Sequence, residues 1–552
     1  MTIAYELNSL NLPRLAGAGL HAFAAVVENP LTRPLLLGNL LENGGIPKLR
    51  RRIFDEAPLL YPLVQQKADS QSEPFQPGPP PETFPMRTAR GFASAYRNGS
   101  LSPVEVAEKV LAAIESSEQG EAPLRIFIAV QRDDVLTQAR ASAARYASKM
   151  PLSPLDGVPV AVKDEVDMLP YPTTVGTRFL GQRPAAYDAT VVARLRAAGA
   201  LLVGKANMHE IGINPNGANA HYGSVRNPYN DQCDTGGSSS GPGAAVAAGI
   251  VPLALGADGG GSIRIPAALC GVVGLKPTFG RLSEAGAAPL CWSVAHLGPL
   301  AASVEDAALA YSLMAGPDPL DPNSLVQPPV TLEGWNRAGL RGVRLGIYAD
   351  WYNHASADVL KACNAMLEHF KGLGAEVREI AIPELDEMRV AHAITILSEM
   401  AVCMRPYLKQ RKQHGAAVRL SLVLGDSFTA SDYMQAQQMR RRAMNIFNEV
   451  YHQVDVILTP ATAMAAQLIP PGAAAAGWSD LGTDTEMMRY AFPGNLVGLP
   501  AISFPVGYDG RGMPLGMQAM GRHWQENLLL RLAYNAEKAL ERRLPQRYYP
   551  IF

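Results

Sequence analysis

Two loops rich in glycine and serine carry the residue types of a covalent acyl-transfer site. Residues 235–243 read TGGSSSGPG and residues 257–262 read ADGGGS, which places Ser238 and Ser262 24 positions apart. A serine hydroxyl becomes a nucleophile only when a base takes its proton. The intermediate that then forms carries an oxyanion, which preorganised backbone N–H groups stabilise. The three glycines directly before Ser262 present such N–H groups without side chains that would block a substrate.

A candidate base ends the apolar run VPVAVK at 158–163. This run predicts a buried strand, and burial disfavours the charged form of a lysine, so Lys163 can serve as a proton acceptor there. Taken alone, Lys163 can equally be a lysine that reaches solvent from a strand end. Each glycine-rich loop can likewise be an ordinary turn or a phosphate cradle. The chain has no GxxxxGK[ST] motif and no GxGxxG motif after a strand, which disfavours nucleotide binding.

Composition excludes several other classes. The chain has 552 residues, 47% of them hydrophobic and 18% charged, which is typical of a globular protein and not of a disordered one. With 49 basic and 50 acidic residues, the sequence gives no indication of a nucleic-acid partner.

The cysteines and histidines predict no cofactor and no metal. The five cysteines are widely spaced with no CxxC pair, and no HExxH motif occurs, so we expect reduced thiols and neither a disulfide framework nor a zinc site. Cys233 and Cys270 lie near the serine loops, but neither follows a glycine run, which disfavours a cysteine nucleophile. His209 and His221 are interpreted as structural.

Residues 1–73 predict an apolar helical arm. Its apolar segments, 15–27 and 35–41, are too short to cross a bilayer, since 13 helical residues rise about 20 Å against a hydrocarbon core of roughly 30 Å. A basic cluster follows them: Lys48, Arg50, Arg51 and Arg52. The arm can be a structural flap, a peripheral membrane contact or the lining of a route for an oily ligand. No secretory signal is recognised, and we expect an intracellular protein, cytoplasmic or peripherally membrane-associated.

The rest of the chain predicts a single α/β domain. A proline-rich connector at 74–89 separates the arm from a region at 90–552 in which helical and short apolar patterns alternate. The predicted strands are 158–162, 201–203, 251–255, 343–348, 454–458 and 501–506. The predicted helices are 188–198, 304–314, 357–370, 431–450 and 525–542, and a further helix begins after Ser102. We expect a large mixed, mostly parallel central sheet covered by helices.

Several segments together resemble the amidase signature family. They are GVPVAVKD around Lys163, GKANMHE at 204–210, YGSVRNPY at 222–229, GGSSSG at 236–241 and GADGGGSIRIPAALCGVVGLKPTFGR at 256–281. Within the family, the chain is most similar to the plant-type fatty acid amide hydrolases. That likeness rests on ENPLTRPLLLGNLL in the arm, PELDEMRVAHAITI at 383–396 and SDYMQAQQMRRR at 431–442.

The resemblance implies a Ser–Ser–Lys triad without cofactor or metal. Ser262 is the expected nucleophile, Ser238 the bridging serine, held by a cis peptide in this family, and Lys163 the neutral base. The implied oxyanion hole consists of the N–H groups of Gly259, Gly260, Gly261 and Ser262. The residues implied to fix these loops are Ser239, Asp258 and Arg264, while Ala257 stands where some relatives have threonine. The implied substrate loop is Gly212, Ile213, Asn214 and Pro215.

The expected activity is hydrolysis of long-chain fatty acid amides and N-acylethanolamines to a fatty acid and an amine. Three alternatives stay open: an amidase for aryl, peptide or xenobiotic amides, a component of an amidotransferase, and a non-catalytic binding protein. The expected partner is a lipid-like small-molecule amide, with possible peripheral membrane contact through the arm and a possible homodimer. Fold and triad alone do not separate these substrates.

Overall fold

One large mixed sheet forms the centre of the protein. The computed structural model describes residues 5–7, 9, 14–65, 75–78, 84–473 and 477–552. Within this part of the chain, the sheet has eleven strands in the order β11-β10-β12-β15-β14-β8-β9-β7-β3-β4-β2. These strands are β2 (Phe127–Ala129), β3 (Pro159–Lys163), β4 (Leu201–Ala206), β7 (Leu253–Ala257), β8 (Val273–Lys276), β9 (Leu297–Ala301), β10 (Arg344–Ile347), β11 (Glu376–Glu379), β12 (Val456–Pro460), β14 (Ala501–Tyr508) and β15 (Pro514–Gly521). Two small ribbons complete the strands: β1 (Leu15–Ala16) with β13 (Trp478–Ser479), and β5 (Arg226–Asn227) with β6 (Asn230–Asp234).

Helices cover the sheet. In chain order they are α1 (Gly17–Glu28), α2 (Arg33–Asn43), α3 (Ile46–Arg50), α4 (Ala89–Asn98), α5 (Pro103–Ser117), α6 (Arg132–Ala147), α7 (Thr190–Ala197), α8 (Ser240–Ala247), α9 (Arg264–Leu269), α10 (Val304–Met314), α11 (Ala349–Tyr352), α12 (Ala357–Gly372), α13 (Leu385–Cys403), α14 (Ala416–Gly425), α15 (Ala430–Gln453), α16 (Leu481–Met488), α17 (Phe492–Leu496) and α18 (Glu526–Glu537). Short 3₁₀ turns occupy Glu210–Gly212, Pro322–Val326 and Arg405–Gln413. Among the described residues, none of these helices combines the length and apolar character needed to cross a bilayer.

The α/β class and the large mixed sheet are confirmed, but the sheet is less parallel than the sequence predicted. Only β3 with β4, β3 with β7, β10 with β11 and β10 with β12 are parallel, and the other six neighbouring pairs in the described sheet are antiparallel. The reason is local connectivity: β14 and β15 are joined by a turn of five residues, and such a short connection permits only an antiparallel pair. The predicted runs at 158–162 and 201–203 are β3 and β4, which are parallel neighbours in the sheet.

Local sequence signals account for several helix starts. Ser102 and Glu105 form a reciprocal capping box at the start of α5, with Pro103 as its first residue. Thr429 and Asp432 form the same arrangement at α15. Each box satisfies backbone N–H groups that the first helical turn leaves without a partner.

The N-terminal arm is anchored on the α/β part of the chain. Leu20 and Ala24 of α1 are buried against Ala416 and Ala417 of α14, and β1 extends the anchor by pairing with β13. Three of the four predicted cations pair with carboxylates: Lys48 with Asp386 at 3.3 Å, Arg50 with Asp432 at 2.8 Å and Arg52 with Glu384 at 2.8 Å. Much of the basic cluster is therefore used for docking the arm. Of the predicted connector at 74–89, residues 74 and 79–83 lie outside the described residues.

Candidate active site

Lys163 and Ser238 meet at the carboxyl end of the central strands. Lys163 is the last residue of β3, which lies between β4 and β7, so its amine emerges beside Ala257 at the end of β7. Its Nζ donates to Ser238 Oγ at 2.8 Å and to the Ala257 carbonyl at 3.2 Å. Lys163 is buried with 1% exposure, so water does not compete for these contacts. The predicted base and the predicted bridging serine are thus in direct contact.

The two serine loops lie side by side. The peptide bond between Gly237 and Ser238 is cis, as the resemblance implied. Ser239 N–H donates to the Ser262 carbonyl at 3.3 Å, and Ser239 Oγ donates to the Ala257 carbonyl at 3.1 Å. Ser262 is 8% exposed, and within the described chain its hydroxyl has no hydrogen-bond partner. The Ser262 hydroxyl is therefore unengaged in a largely buried site.

The glycine-rich loop offers only part of the implied oxyanion hole. Gly261 N–H donates to Asp258 Oδ1 at 2.7 Å, and Ile263 N–H donates to Asp258 Oδ2 at 3.0 Å. Gly261 is therefore unavailable as an oxyanion donor in this structure, because the carboxylate already accepts its N–H. Among the described residues, three N–H groups of this loop have no acceptor: those of Gly259, Gly260 and Ser262.

A buried ion pair fixes this loop from below. Arg264 at the start of α9 donates through Nε and one terminal nitrogen to Asp258, both at 3.0 Å, and both side chains are fully buried. Burial alone would raise the pKa of Asp258, but the Arg264 guanidinium holds it well below its usual range. Arg264 also donates to Gln518 Oε1 at 2.6 Å and to Asn495 Oδ1 at 2.5 Å. The implied positions of these two residues beneath the loop agree with this geometry.

A histidine that the sequence analysis did not single out also holds the loop. His392 Nε2 lies 2.7 Å from the Gly259 carbonyl oxygen, and because a carbonyl only accepts, Nε2 carries the hydrogen. Burial lowers the pKa of His392 to about 4. Since the Gly259 carbonyl and the Gly260 N–H belong to one planar peptide, this bond fixes the direction of the Gly260 N–H. His392 lies on α13, 133 residues from Gly259, and no local pattern connects the two.

The implied substrate loop packs against the serine loop. The Pro215 carbonyl accepts Gly237 N–H at 2.8 Å. A Cβ on Gly212, whose φ is +70°, would lie 3.4 Å from Ser238 Oγ, which places this glycine beside the bridging serine. Ile213 packs into an apolar cluster, and Asn214 Nδ2 lies 3.4 Å from His209 Nε2. The structure thus places Gly212 and Pro215 against the Gly237–Ser238 segment, whereas Ile213 contacts the apolar cluster and Asn214 contacts His209.

Glu165, which the sequence analysis also did not single out, contacts Lys163. Glu165 Oε2 lies 2.7 Å from Lys163 Nζ, and the two side chains are 8% and 1% exposed. The sequence predicted a lysine among apolar neighbours, whereas the structure places a carboxylate directly against its amine. The available signal was the spacing: Glu165 follows Lys163 by two residues, where the chain leaves β3.

The cysteines near the loops do not join this arrangement. Burial raises the pKa of both Cys233 and Cys270, which keeps each as an unreactive thiol. His209 is buried beside Glu210, whose carbonyl lies 3.1 Å from its Nδ1, and burial lowers its pKa to about 4. Across the described part of the chain, no group of three or more His, Cys, Asp or Glu side chains is placed to hold a metal ion.

Comparison with known proteins identifies the class. The Amidase family model matches residues 105–530. A fatty acid amide hydrolase of Medicago truncatula is 39% identical over 100% of this chain and 97% of its own length. A glutamyl-tRNA(Gln) amidotransferase component of Symbiobacterium thermophilum is 35% identical over 82% of this chain and 96% of its own. The structure of a peptide amidase from Stenotrophomonas maltophilia is similar with a TM-score of 0.70 at 26% identity, covering 84% of this chain and 99% of that one.

The fold and the site define an enzyme that hydrolyses amide bonds. The chain belongs to the amidase signature family.

Proposed function

We propose that the protein hydrolyses long-chain fatty acid amides, including N-acylethanolamines, through an acyl-enzyme on Ser262. The single observation that carries the mechanism is the 2.8 Å hydrogen bond from Lys163 to Ser238, whose loop is hydrogen-bonded to the loop that carries Ser262. This contact supplies a base and a relay, and the neighbouring loop supplies Ser262 as the nucleophile, which together are the groups that acyl transfer needs.

In the proposed mechanism, two coupled proton transfers along the triad move one positive charge to Lys163. Ser262 Oγ passes its proton to Ser238 Oγ, and Ser238 passes its own to Lys163 Nζ while Ser262 attacks the amide carbon. The N–H groups of Gly259, Gly260 and Ser262 stabilise the oxyanion. Collapse of the intermediate breaks the carbon–nitrogen bond, and the proton returns through Ser238 to the leaving amine. Water then hydrolyses the acyl ester on Ser262.

A fatty acyl chain is favoured by the apolar surroundings of the site. The cluster formed by Val175, Leu180, Ile211, Leu290, Cys291, Val294, Met400, Met404, Val418 and Leu422, which we call the acyl cluster, is buried. It adjoins the loops, because a Cβ on Gly259 would lie 2.8 Å from Cys291 Sγ and a Cβ on Gly212 would lie 3.7 Å from Leu290. A small surface pocket lined in part by Met404 and Leu422 adjoins this cluster. An acyl chain that buried its methylenes against this cluster would gain about 0.8 kcal/mol per buried CH₂.

A panel of acyl amides tests the substrate class. We expect kcat/KM to rise from acetamide through octanoyl to oleoyl amides, by up to about fourfold for each added CH₂ until the cluster is filled. Ser262→Ala should abolish hydrolysis of every member while the thermal unfolding midpoint stays within a few degrees. A flat dependence on chain length would contradict the fatty amide assignment and leave amide hydrolysis intact.

A second candidate is an amidase for peptide or aryl amides, which the fold similarity to a peptide amidase favours. A higher kcat/KM for C-terminal peptide amides than for oleamide would support it. The amidotransferase reading is less favoured, because that relative aligns with 82% of this chain whereas the fatty acid amide hydrolase aligns with 100%. Glutaminase activity that appears only when partner proteins are added would support the amidotransferase reading.

Peripheral membrane contact and a homodimer remain proposals. The first is supported by Leu31 and Leu35 of the arm, which are 87% and 78% exposed, and by α2, which has no buried residue. Co-sedimentation with anionic lipid vesicles, compared between the wild type and a Leu31→Ser/Leu35→Ser variant, tests membrane contact. Light scattering in solution tests the dimer.

A further inference from the structure

Among the described residues, the amine of Lys163 has three acceptors, one of which has no role in the proposed triad. Ser238 Oγ lies at 2.8 Å, the Ala257 carbonyl at 3.2 Å and Glu165 Oε2 at 2.7 Å. An ammonium has three N–H donors, so these acceptors satisfy it completely. A neutral amine keeps two N–H donors and one lone pair. If Ala257 and Glu165 take the two donors, the lone pair faces Ser238, which is the direction needed to receive its proton.

We propose that Glu165 is a positioning residue for this reaction: its carboxylate aims the Lys163 amine at Ser238 and stabilises the ammonium that forms during acyl transfer. The proposal rests on the function proposed above. The proton balance is unchanged by Glu165, which neither gives nor takes a proton. The proton of Ser238 reaches Lys163 Nζ, and the new positive charge lies 2.7 Å from the carboxylate. Lys163 later returns a proton to Ser238 while Ser238 passes its own proton to the leaving amine.

The backbone holds Glu165 in place for this role. Its carbonyl accepts Ala288 N–H at 2.9 Å, which ties the residue to the loop that precedes Leu290. A Cβ on Gly212 would lie 3.7 Å from Glu165 Oε2, so the substrate loop closes over the carboxylate from the other side. These two contacts therefore leave the Glu165 side chain little freedom to move away from Lys163.

Other titratable groups around the pair lack this contact. Burial lowers the pKa of His209 to about 4 and raises that of Cys291 and Cys403, so all three are uncharged near neutral pH. Burial raises the pKa of Glu284 well above its usual range and that of Glu399 above its ordinary value. Among the described residues, Glu165 is the carboxylate within ion-pair distance of the Lys163 amine.

Glu165→Gln tests the proposal through the pH profile of the full-length enzyme with a short acyl amide. Glutamine keeps the size and an acceptor oxygen but removes the charge. Without the carboxylate, the ammonium is less favoured, so the acidic limb of kcat should move to lower pH by about one unit or more. The amine also becomes a weaker base, so the plateau of kcat should fall by about tenfold or more. Glu165→Asp, which withdraws the carboxylate by one methylene, should show smaller changes in the same directions.

Glu284→Gln is the control for exchanging a buried carboxyl group for an amide in this region, because Glu284 is not within ion-pair distance of Lys163. Its acidic limb should stay within a few tenths of a pH unit of the wild type. A lower plateau with an unmoved limb in Glu165→Gln would make Glu165 merely structural and overturn the proposal. If Glu165→Gln fails to fold, Glu165→Asp decides, and wild-type kcat and limb in that variant would overturn it. If the Glu165 proposal fails, hydrolysis by the wild type and its loss in Ser262→Ala would still support the proposed function. Failure of the Glu165 proposal can therefore be told apart from failure of the proposed function.

Discussion

The hydrogen bond from His392 to the oxyanion loop can be removed without touching the triad. In His392→Phe, the ring keeps its approximate shape but loses the donor that lies 2.7 Å from the Gly259 carbonyl. The peptide that carries the Gly260 N–H can then rotate away from the developing oxyanion. Loss of one oxyanion donor costs about 10²–10³ in rate, and misalignment should cost less than complete loss. We therefore expect kcat to fall by about 10- to 100-fold.

The effect should be confined to the transition state. KM for a short acyl amide should change by less than about twofold, because the loop contributes little to binding of the planar amide. The affinity of a trifluoromethyl ketone analogue, whose adduct carries an oxyanion, should fall in proportion to kcat/KM. His392→Gln, which restores an N–H donor on a flexible side chain, should recover part of kcat. The measurements are steady-state kinetics and the inhibition constant of the ketone.

A second histidine provides the control. His523 Nε2 lies 2.9 Å from the Val497 carbonyl, and burial lowers its pKa to about 4, as it does for His392. His523→Phe removes a similar hydrogen bond away from the site and should lower the thermal midpoint with little change in kcat. Equal losses of kcat in the two variants, or a His392→Phe variant that changes KM alone, would refute the reasoning.

Three further results are expected. Despite its burial, the contacts of Glu210 with His221 and with His414 at 2.5 Å lower its pKa to about 2 from 4.5. Its carboxylate therefore stabilises the fold above pH 4.5 by about 3 kcal/mol, and this stabilisation is lost as the pH falls towards 2. The thermal midpoint of Glu210→Gln should be lower than that of the wild type at pH 7 and should converge with it near pH 2. Burial raises the pKa of Asp484 to about 8, so the folded protein favours the protonated carboxyl group and loses stability as the pH rises towards 8. Asp484→Asn should therefore raise the thermal midpoint at pH 8.5 and leave it nearly unchanged near pH 4. Met404→Trp, which enlarges one side chain of the acyl cluster, should lower kcat/KM for oleoyl amides by at least about tenfold and spare butyryl amides. Equal losses for both would place the acyl chain elsewhere.

Helix caps and short apolar runs in the sequence were sufficient to predict the helices and strands that contain them. The helix at 304–314 has the bounds predicted, because Ser303 caps its first turn, and β3 and β4 follow from short apolar runs. β15 was not predicted, since PLGMQAMG has no alternation and takes its strand form from pairing with β12 and β14. The long helix α13 was also not predicted as a helix, although its sequence contributed to the family resemblance. Its burial against several elements leaves only a weak amphipathic pattern.

The candidate site divides in the same way. The serines, the glycines and Lys163 occur in conspicuous local patterns, so their types and spacing were sufficient to single them out. His392 could not be found in this way, because its partner is 133 residues distant and only the tertiary fold joins them. The occupation of Gly261 N–H by Asp258 was equally hidden, since it depends on the curvature of one loop and not on residue types.

Trapping of the acyl-enzyme is the decisive test of the mechanism. The wild-type enzyme would be mixed with an activated oleoyl anilide, quenched in acid within milliseconds to seconds, and analysed by intact mass and peptide mapping. We predict an added oleoyl mass on the peptide that contains Ser262, formed and lost at rates compatible with kcat and absent in Ser262→Ala. An acyl group on Ser238 or Cys291, or full turnover without any acylated Ser262, would contradict the mechanism.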